Sequence, residues 1–320
     1  DYDTFGNNVS WKLSGSFEIS DRDALRATVN TGFRAPTPGQ VNTLNVTTSS
    51  DANGKLNPFG TYPVDNPIEL ALGSTSLDDE ESTAFTIGAV FQPLANLSIT
   101  LYDYYIQIDD RLTILENEIG PAEVLLLQAA GIANADLLLN STANYFVNGF
   151  ESNVTGIDLS VVASFEVGGG DLILDLRHNW NEQEFKNVAP NTLNESTISD
   201  FEHQIPNNRT TLTFDYDTGG MLSGLLRLNN FGSWGDSGGQ IAAPDNSEFV
   251  SYSGELIVDL EAQFRFNDNF ALAIGGENIF DVEPAKDGHF VAGLLGVNTA
   301  LTSPFGNNGG FWYARLQADF

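Results

Sequence analysis

The stretch at residues 310–320 decides the fold class. It reads Gly310-Phe311-Trp312-Tyr313-Ala314-Arg315-Leu316-Gln317-Ala318-Asp319-Phe320, with apolar residues at the even positions from 312 onward and charged or amide side chains among the odd ones. Since successive side chains of a strand point to opposite faces, this period of two predicts a strand with one apolar and one polar face. Its length suits a tilted transmembrane strand, which needs about 9–11 residues. The stretch ends on the aromatic Phe320, which favours a strand that closes a membrane barrel.

The same alternation recurs upstream in the segments 9–19, 25–34 and 255–266. In the last of these, Leu256, Val258 and Leu260 alternate with Glu255, Ile257, Asp259 and Glu261, of which only Ile257 is apolar. We expect these apolar side chains, with Phe264, Leu316 and Ala318, to face outward and be exposed. No run of 18 apolar residues occurs, so the sequence predicts no membrane-spanning helix.

Composition excludes several function classes. The 13 Lys and Arg residues against 43 Asp and Glu give a formal charge of -30. That sign argues against a nucleic-acid partner and against a basic membrane-surface binder. Because the chain has no cysteine, a disulfide scaffold and thiol catalysis are excluded.

Strand and turn patterns predict an all-β fold, an antiparallel meander of about eleven strands. We place the strands near 8–19, 24–34, 81–92, 97–109, 150–165, 171–183, 208–217, 221–234, 253–266, 269–280 and 310–320. Short polar or Gly-rich turns alternate with long connections at 35–80, 110–149, 184–207, 235–252 and 281–309. Outer-membrane barrels have this alternation, with short periplasmic turns and long extracellular loops.

Local irregularities give two further expectations. The alternation slips near Asp103, which suggests a β-bulge there. The Ala- and Leu-rich segment from Glu123 to Leu139 is predicted to form a short helix within its loop. Because a barrel-type strand begins as early as residue 8, we also expect the chain to start within a longer protein.

Three blocks of sequence carry a family resemblance. They are Gly32-Phe33-Arg34-Ala35-Pro36, then Gly276-Glu277-Asn278-Ile279-Phe280-Asp281, and Ser303-Pro304-Phe305-Gly306 with the final strand ending at Phe320. Weaker matches are Asp103-Tyr104-Tyr105, Asp109-Asp110-Arg111 and Thr155-Gly156-Ile157-Asp158-Leu159. Their order and spacing across nearly the whole chain resemble the TonB-dependent outer-membrane receptors.

The resemblance implies a 22-stranded barrel filled by a plug domain in the outer membrane of a Gram-negative bacterium. Such a receptor imports a scarce nutrient (a siderophore, vitamin, carbohydrate or similar) with energy supplied through TonB. Its partners would be outer-membrane lipid, the TonB complex, the plug, and the barrel assembly machinery through the C-terminal strand. About half the expected strands are present, without plug or TonB-contact segment, so residues 1–320 are predicted to be the C-terminal part of one barrel. We therefore expect an open, curved sheet, or a strained small barrel if the sheet is forced to close.

No catalytic residue, metal site or cofactor is predicted, and we expect no enzyme. Gly235-Asp236-Ser237-Gly238-Gly239 spells a serine-protease motif, but the three histidines lie in other settings, so we interpret it as a turn. The run Asp78-Asp79-Glu80-Glu81 lacks calcium-loop spacing and is interpreted as a solvated loop end. Candidates for lining a ligand path share the inward parity of their strands: Arg26, Arg34, Arg177, Arg227 and Arg315.

Large aromatic residues near strand ends suit the interfacial girdles of a barrel. They are Trp11, Phe33, Trp180, Trp234, Trp312 and Phe320. Two other protein classes fit part of the sequence: a passive porin-type channel, and a soluble β-sandwich binding module. The family blocks favour the importer over the porin, and the alternating loop lengths favour either barrel over the sandwich.

Overall fold

The computed structural model describes residues 8–50, 56–189, 192–237, 249–287, 289, 296, 298–300 and 302–318. The strands in chain order are β1 (Lys12–Glu18), β2 (Ala24–Arg34), β3 (Asn45–Ser50), β4 (Leu56–Thr61), β5 (Glu80–Leu94), β6 (Leu97–Glu118), β7 (Thr142–Val167), β8 (Gly170–Lys186), β9 (Asn208–Asp217), β10 (Leu222–Phe231), β11 (Trp234–Asp236), β12 (Val250–Tyr252), β13 (Glu255–Asn267), β14 (Phe270–Glu277) and β15 (Phe311–Ala318). The helices are α1 (Pro38–Asn42), α2 (Pro67–Leu72), α3 (Pro121–Ala129) and α4 (Glu195–His203), with a 3₁₀ turn at Ala135–Leu138. None of the helices in the described residues has the length and apolar character to cross a membrane.

Eleven strands form one meandering path in which each is hydrogen-bonded to its neighbours in the order β1-β2-β5-β6-β7-β8-β9-β10-β13-β14-β15. All of these pairings are antiparallel. The predicted fold class is thus confirmed. Within the described residues β1 and β15 each have a partner on one side only, so the sheet is open, as expected.

The two faces of the sheet differ in polarity. Directly paired residues of antiparallel strands share a face, so the rows Leu226–Leu260 and Phe264–Leu272 lie on one side. We call this apolar side the outer face and the other the inner face. Leu256, Leu260, Phe264 and Leu316 are exposed there, as predicted.

Val258 departs from that prediction, since it is only 7% exposed. The chain turns back over this position after β14. The Ile279 amide nitrogen lies 2.8 Å from the Val258 carbonyl oxygen, and the Ile279 side chain reaches the outward-facing position of Gly276. The expectation of an exposed Val258 was therefore wrong, because the turn was not foreseen.

On the inner face, three tyrosines lie over glycines of the adjacent strand. The directly opposed pairs are Gly88–Tyr102, Gly156–Tyr104 and Gly275–Tyr313. A Cβ at these glycines would come within 2.1, 2.3 and 2.6 Å of the tyrosine ring, respectively. Each ring can lie flat along the wall because the glycine has no side chain. Glycine normally weakens the interior of a strand, and this close approach of the ring accounts for its presence here.

β6 and β7 extend far beyond the predicted ranges 97–109 and 150–165. β7 has 26 residues, about 85 Å at roughly 3.3 Å per residue, whereas the apolar band of a barrel is only about 25 Å tall. The predicted bulge near Asp103 was also wrong, because the β5–β6 ladder runs without a shift through Asp103. The shift lies instead between Ile108 and Arg111, where Asp110 has a φ of 54°. This irregularity breaks the alternation of apolar and polar residues. For that reason the upper halves of both strands were not predicted from the sequence.

The connections 35–80 and 110–149 fold against each other into what we call the loop module, residues 56–80 with 112–149. Its β4 pairs in parallel with the start of β7, from Phe59–Thr142 to Thr61–Asn144. Its core is made of Ile119, Val124, Leu127, Ala135 and Ala143. The predicted short helix in this region is confirmed as α3 with the following 3₁₀ turn.

Trp234 was predicted as a girdle residue at the end of a strand spanning 221–234, and this was wrong. β10 ends at Phe231, and Trp234 opens the separate hairpin β11–β12. Its ring is 3% exposed, stacked 5.3 Å from Tyr252 and packed against Phe305. By contrast, Trp11 and Trp312 are 51% and 63% exposed on the outer face. Phe320 lies outside the described residues.

Candidate functional site

The five arginines predicted to line a ligand path all fall on the inner face. Arg26 pairs with Gly88, and Gly88 with Tyr102, which fixes their common side. Following the ladders across β7 and β8 brings Arg177 to the same face, opposite Thr211. The register likewise places Arg34, Arg227 and Arg315 there.

The structure does not bring these five arginines together, since they lie on β2, β8, β10 and β15. Four of them have side-chain partners on the wall. The Arg26 Nη1 is 3.2 Å from the Tyr102 hydroxyl, and Arg34 Nε is 2.6 Å from Glu80. Arg177 pairs with Asp175 at 3.0 Å, and Arg315 with Glu261 at 3.1 Å. Arg227 lies opposite Asp259 in the ladder.

Part of the inner wall forms a hollow of about 410 Å³. Its lining includes Tyr102, Asp158, Arg177, Asn179 and Arg209. The Asn179 side-chain amide donates to the Asp158 carboxylate at 2.7 Å, so the polar groups of neighbouring strands are already linked. Such a surface offers both charge signs and an aromatic hydroxyl to whatever passes along it. Arg209 was not predicted, although it shares the parity of the polar residues in 208–217.

We call the end of the sheet where the long connections begin its mouth. Near the mouth, Arg111 is a second basic residue that was also not predicted. Its guanidinium carbon lies 5.2 Å from the Phe150 ring centroid and 5.0 Å from that of Phe201. Its Nη1 donates to the Ser152 hydroxyl at 2.9 Å. Burial lowers the pKa of the Arg111 guanidinium from its ordinary value. Because Phe201 belongs to α4, these contacts hold that helix against the inner wall.

Beside the mouth lies an acidic group around Asp110. Burial first, and then the charges of neighbouring acids, raise the pKa of the Asp110 carboxyl above its ordinary value; the acids are Asp78, Asp109, Glu151 and Glu81. Asn148 joins the strands here, donating to the Asp78 and Asp110 carbonyls at 3.0 and 2.7 Å. Among the described residues, no group of three or more His, Asp or Glu side chains is arranged to hold a metal ion.

The first family block, around Arg34, has a structural explanation. The Glu80 carboxylate receives Arg34 on one oxygen and the Leu112 amide, 2.8 Å away, on the other. A Cβ at Gly32 would meet the Ser82 hydroxyl at 2.9 Å, and Pro36 is buried. These residues fix the exit of β2 toward the loop module.

The second block, Glu277 to Asp281, organises the turn after β14. Asn278 and Asp281 adopt positive φ values of 52° and 55°. The Asn278 side chain exchanges two hydrogen bonds with the Val282 backbone, at 2.8 and 3.0 Å. The Asp281 carboxylate accepts from the Gly310 amide at 2.7 Å, just before β15. Phe280 is 70% exposed. The block thus ties the last two strands together across a long connection.

Within the described residues, Ser237 of the protease-like motif is hydrogen-bonded to an acid and not to a histidine. Its hydroxyl and amide donate to the Asp200 carboxylate at 2.6 and 2.7 Å, which attaches the β11–β12 region to α4. The histidines are apart, with His178 bonded to Thr210, His203 to the Ser199 carbonyl and His289 to Asp287. This geometry supports a packing role for Ser237.

An open antiparallel meander with an apolar outer face and a polar inner face defines the barrel wall of an outer-membrane protein. The family profile described as TonB dependent receptor-like, beta-barrel, matches residues 1–279. The chain therefore belongs to the TonB-dependent receptor family, whose members are transport receptors of the Gram-negative outer membrane. No curated protein sequence matches it.

Solved structures share the fold at low sequence identity. A mutant of the ferric enterobactin receptor of Pseudomonas aeruginosa superposes with a TM-score of 0.68 at 18% identity, covering 99% of this chain and 41% of that one. The siderophore receptor PirA of Acinetobacter baumannii gives 0.65 at 16% identity, covering 99% and 42%. The ferric-catecholate import receptor Fiu of E. coli K12 gives 0.57 at 15% identity, covering 98% and 35%. This chain thus spans about two fifths of the length of the first two.

Proposed function

We propose that residues 1–320 form the C-terminal part of a barrel that actively imports a scarce nutrient across the outer membrane, with energy delivered through TonB. The proposal rests on the polar inner wall of a meander that matches the profile of the receptor family. Its arginines are distributed from Arg34 near the mouth to Arg315 on the last strand. Proposed partners are outer-membrane lipid on the outer face, a plug domain and the TonB complex, and the barrel assembly machinery at the C-terminal strand.

The ligand path that we propose runs along Arg26, Arg34, Arg177, Arg227 and Arg315. Apart from Lys12 of β1, the basic residues that the register places on this wall are arginines. Arginines bind carboxylate or phenolate oxygens in a fixed fork geometry. Anionic iron chelates are the first ligands to test, because the neighbouring structures include receptors named for ferric enterobactin and ferric catecholates. Vitamins and carbohydrates are the other classes in the proposal.

Uptake by intact cells tests the proposal. Cells that produce the whole receptor of which we propose these residues to be a part, with and without a functional TonB, are given radiolabelled ferric chelates, cobalamin or oligosaccharides. Active import predicts saturable accumulation that disappears without TonB, and accumulation reduced when Arg34 and Arg177 are both changed to alanine. If uptake were unchanged without TonB and linear in concentration, the porin-type channel would be the correct function.

The partial-barrel proposal has its own test in planar bilayers. The 320-residue chain alone should give no stable conductance, because the unpaired edges of β1 and β15 leave backbone groups unsatisfied in lipid. Steady single-channel currents from this chain alone would mean that it closes into a complete pore by itself.

A further inference from the structure

Glu69 of α2 is completely buried in the loop module. Its side chain is 0% exposed, and within the described residues neither carboxyl oxygen has a hydrogen-bond partner. A buried carboxylate without a cation or donors is very costly, so such a group is normally neutral. The proton on the Glu69 carboxyl therefore stabilises the packing of the loop module.

α2 belongs to the first of the two connections that make the loop module, and this connection packs against the second. On one side Tyr62 and Ile68 pack on the cluster that contains Leu127 of α3. On the other, Val64 and Leu77 pack on Tyr145 at the start of β7. Glu69 lies within this interface, close enough for its charge to raise the pKa of both tyrosines, in addition to the larger effect of their burial.

Within the described residues of the loop module, no positive side chain is available to neutralise Glu69. The stretches 56–80 and 112–149 contain no Lys, Arg or His. Besides Glu69, the titratable groups of the loop module, residues 56–80 with 112–149, are the tyrosines Tyr62 and Tyr145 and the acids Asp65, Asp78, Asp79, Glu80, Glu116, Glu118, Glu123 and Asp136. Glu123 accepts from the Gly120 amide at 3.0 Å, so it caps its own helix. Every charge that these groups carry repels a carboxylate at Glu69.

Burial raises the pKa of Glu69 to about 7 from the ordinary value of 4.5. A carboxyl whose pKa is raised by folding contributes stability that is present below the ordinary value. That stability is lost as the pH rises through the folded-state pKa. The docked loop module is thus most stable in acid, and it weakens as the pH rises toward the folded-state pKa, with no further loss above it.

We propose that Glu69 is a proton-operated latch on the extracellular loops. With its carboxyl protonated, α2 stays docked between α3 and β7. When the proton leaves, the charged carboxylate draws α2 into water, and the two connections separate. The inference goes beyond the proposed transport function and does not depend on which nutrient is carried.

Hydrogen exchange tests this latch in the intact protein, purified from its outer membrane in detergent. Amide protection in 67–73 and 121–129 is measured from about pH 5 to pH 9 and corrected for the intrinsic pH dependence of exchange. Opening releases one proton only between the ordinary pKa and the folded-state pKa of Glu69, which is about 7. Wild-type protection should therefore fall about tenfold per pH unit from about pH 5 to about pH 7 and level off above that. Glu69→Gln, which keeps the shape and stays neutral, should remove this slope.

Two further variants separate the latch from general loosening. Asp136→Asn removes an exposed acid of the same module and should retain the wild-type slope. Leu127→Ala opens a cavity beside α3 and should lower protection at every pH while keeping the slope. A wild-type profile without a slope, or a Glu69→Gln profile with the wild-type slope, would overturn the proposal. Nutrient uptake is not needed for either outcome.

Discussion

The hydroxyl of Tyr313 on the last strand donates to the Glu261 carboxylate at 2.7 Å, across the intervening strand β14. The ring reaches Glu261 by passing over Gly275, with which Tyr313 is directly paired. Arg315 binds both oxygens of the same carboxylate at 3.1 Å. Glu261 thus links β13 to β15 across β14. The contact with Tyr313 is possible because Gly275 has no side chain.

Gly275→Ala should therefore destabilise the sheet. The new Cβ would lie 2.6 Å from the Tyr313 ring and 3.1 Å from the Leu260 carbonyl oxygen. Moving the ring away costs about 1–3 kcal/mol through overpacking. The free energy of unfolding in lipid vesicles, measured by denaturant titration, checks this. Gly15→Ala is the control, because nothing lies within 4 Å of its Cβ position. Equal stabilities of the two variants would contradict the role of the glycine.

Sidedness gives the second prediction, made at Ile274. This outward residue is 58% exposed and is flanked in the ladder by Ala262 and Ala314. Ile274→Lys should cost about 2–4 kcal/mol if the residue lies at the bilayer midplane. Gln263→Lys, on the inner face, should change the unfolding free energy by only about 0.5 kcal/mol. Similar losses at both positions would mean that both faces are buried in protein, as in a sandwich.

The third prediction concerns the attachment of α4. Phe201 lies 4.4 Å from the Phe185 ring and 5.0 Å from the Arg111 guanidinium. Phe201→Ala removes both contacts, which together contribute roughly 2 kcal/mol. We expect faster hydrogen exchange and proteolysis in residues 195–203. Ile205→Ala removes an apolar side chain that is 59% exposed in the same connection and should leave α4 protected. Two other contacts hold α4: Asp200 binds Ser237, and Glu202 accepts from the Phe185 amide at 3.1 Å. An unchanged α4 in Phe201→Ala would show that these two contacts suffice.

Much of the wall was predictable from sequence, because alternation is a local property. A strand such as β13 shows its two faces in its own residues, and the register of a short turn transmits the pattern to the next strand. The inward parity of Arg26 and Arg315 followed from that alone. Where the ladder is irregular, as at Asp110, the parity changes and the sequence signal is lost. The upper parts of β6 and β7, and Arg111 with them, could not be found for this reason.

Tertiary folding of the long connections was beyond the sequence argument. Glu69 looks like an ordinary solvated acid of a short helix, since its burial depends on contacts with residues about 50–75 positions away. Trp234 was assigned to the membrane girdle because a large ring near a strand end fits there. Only the stacking with Tyr252 shows that it is the core of a separate loop cluster.

The last prediction uses the acidic group beside the mouth. The pKa of Asp110 is raised in the folded protein by burial and by neighbouring acids, so its favourable effect on stability is present at low pH and lost as pH rises through the folded-state pKa. Asp110→Asn keeps a residue type that tolerates the positive φ of 54°. It also retains the backbone carbonyl that Asn148 binds.

We expect Asp110→Asn to stabilise the protein by up to about 1 kcal/mol near pH 8, where the native carboxylate is charged. Near pH 3 the variant and the wild type should be equally stable, because Asp110 is then neutral. Thermal unfolding in detergent at both pH values measures the difference. Asp21→Asn, an exposed acid in the turn between β1 and β2, should change the stability at neither pH. A destabilised Asp110→Asn at pH 8 would mean that the carboxylate binds a partner there, and the repulsion argument would fail.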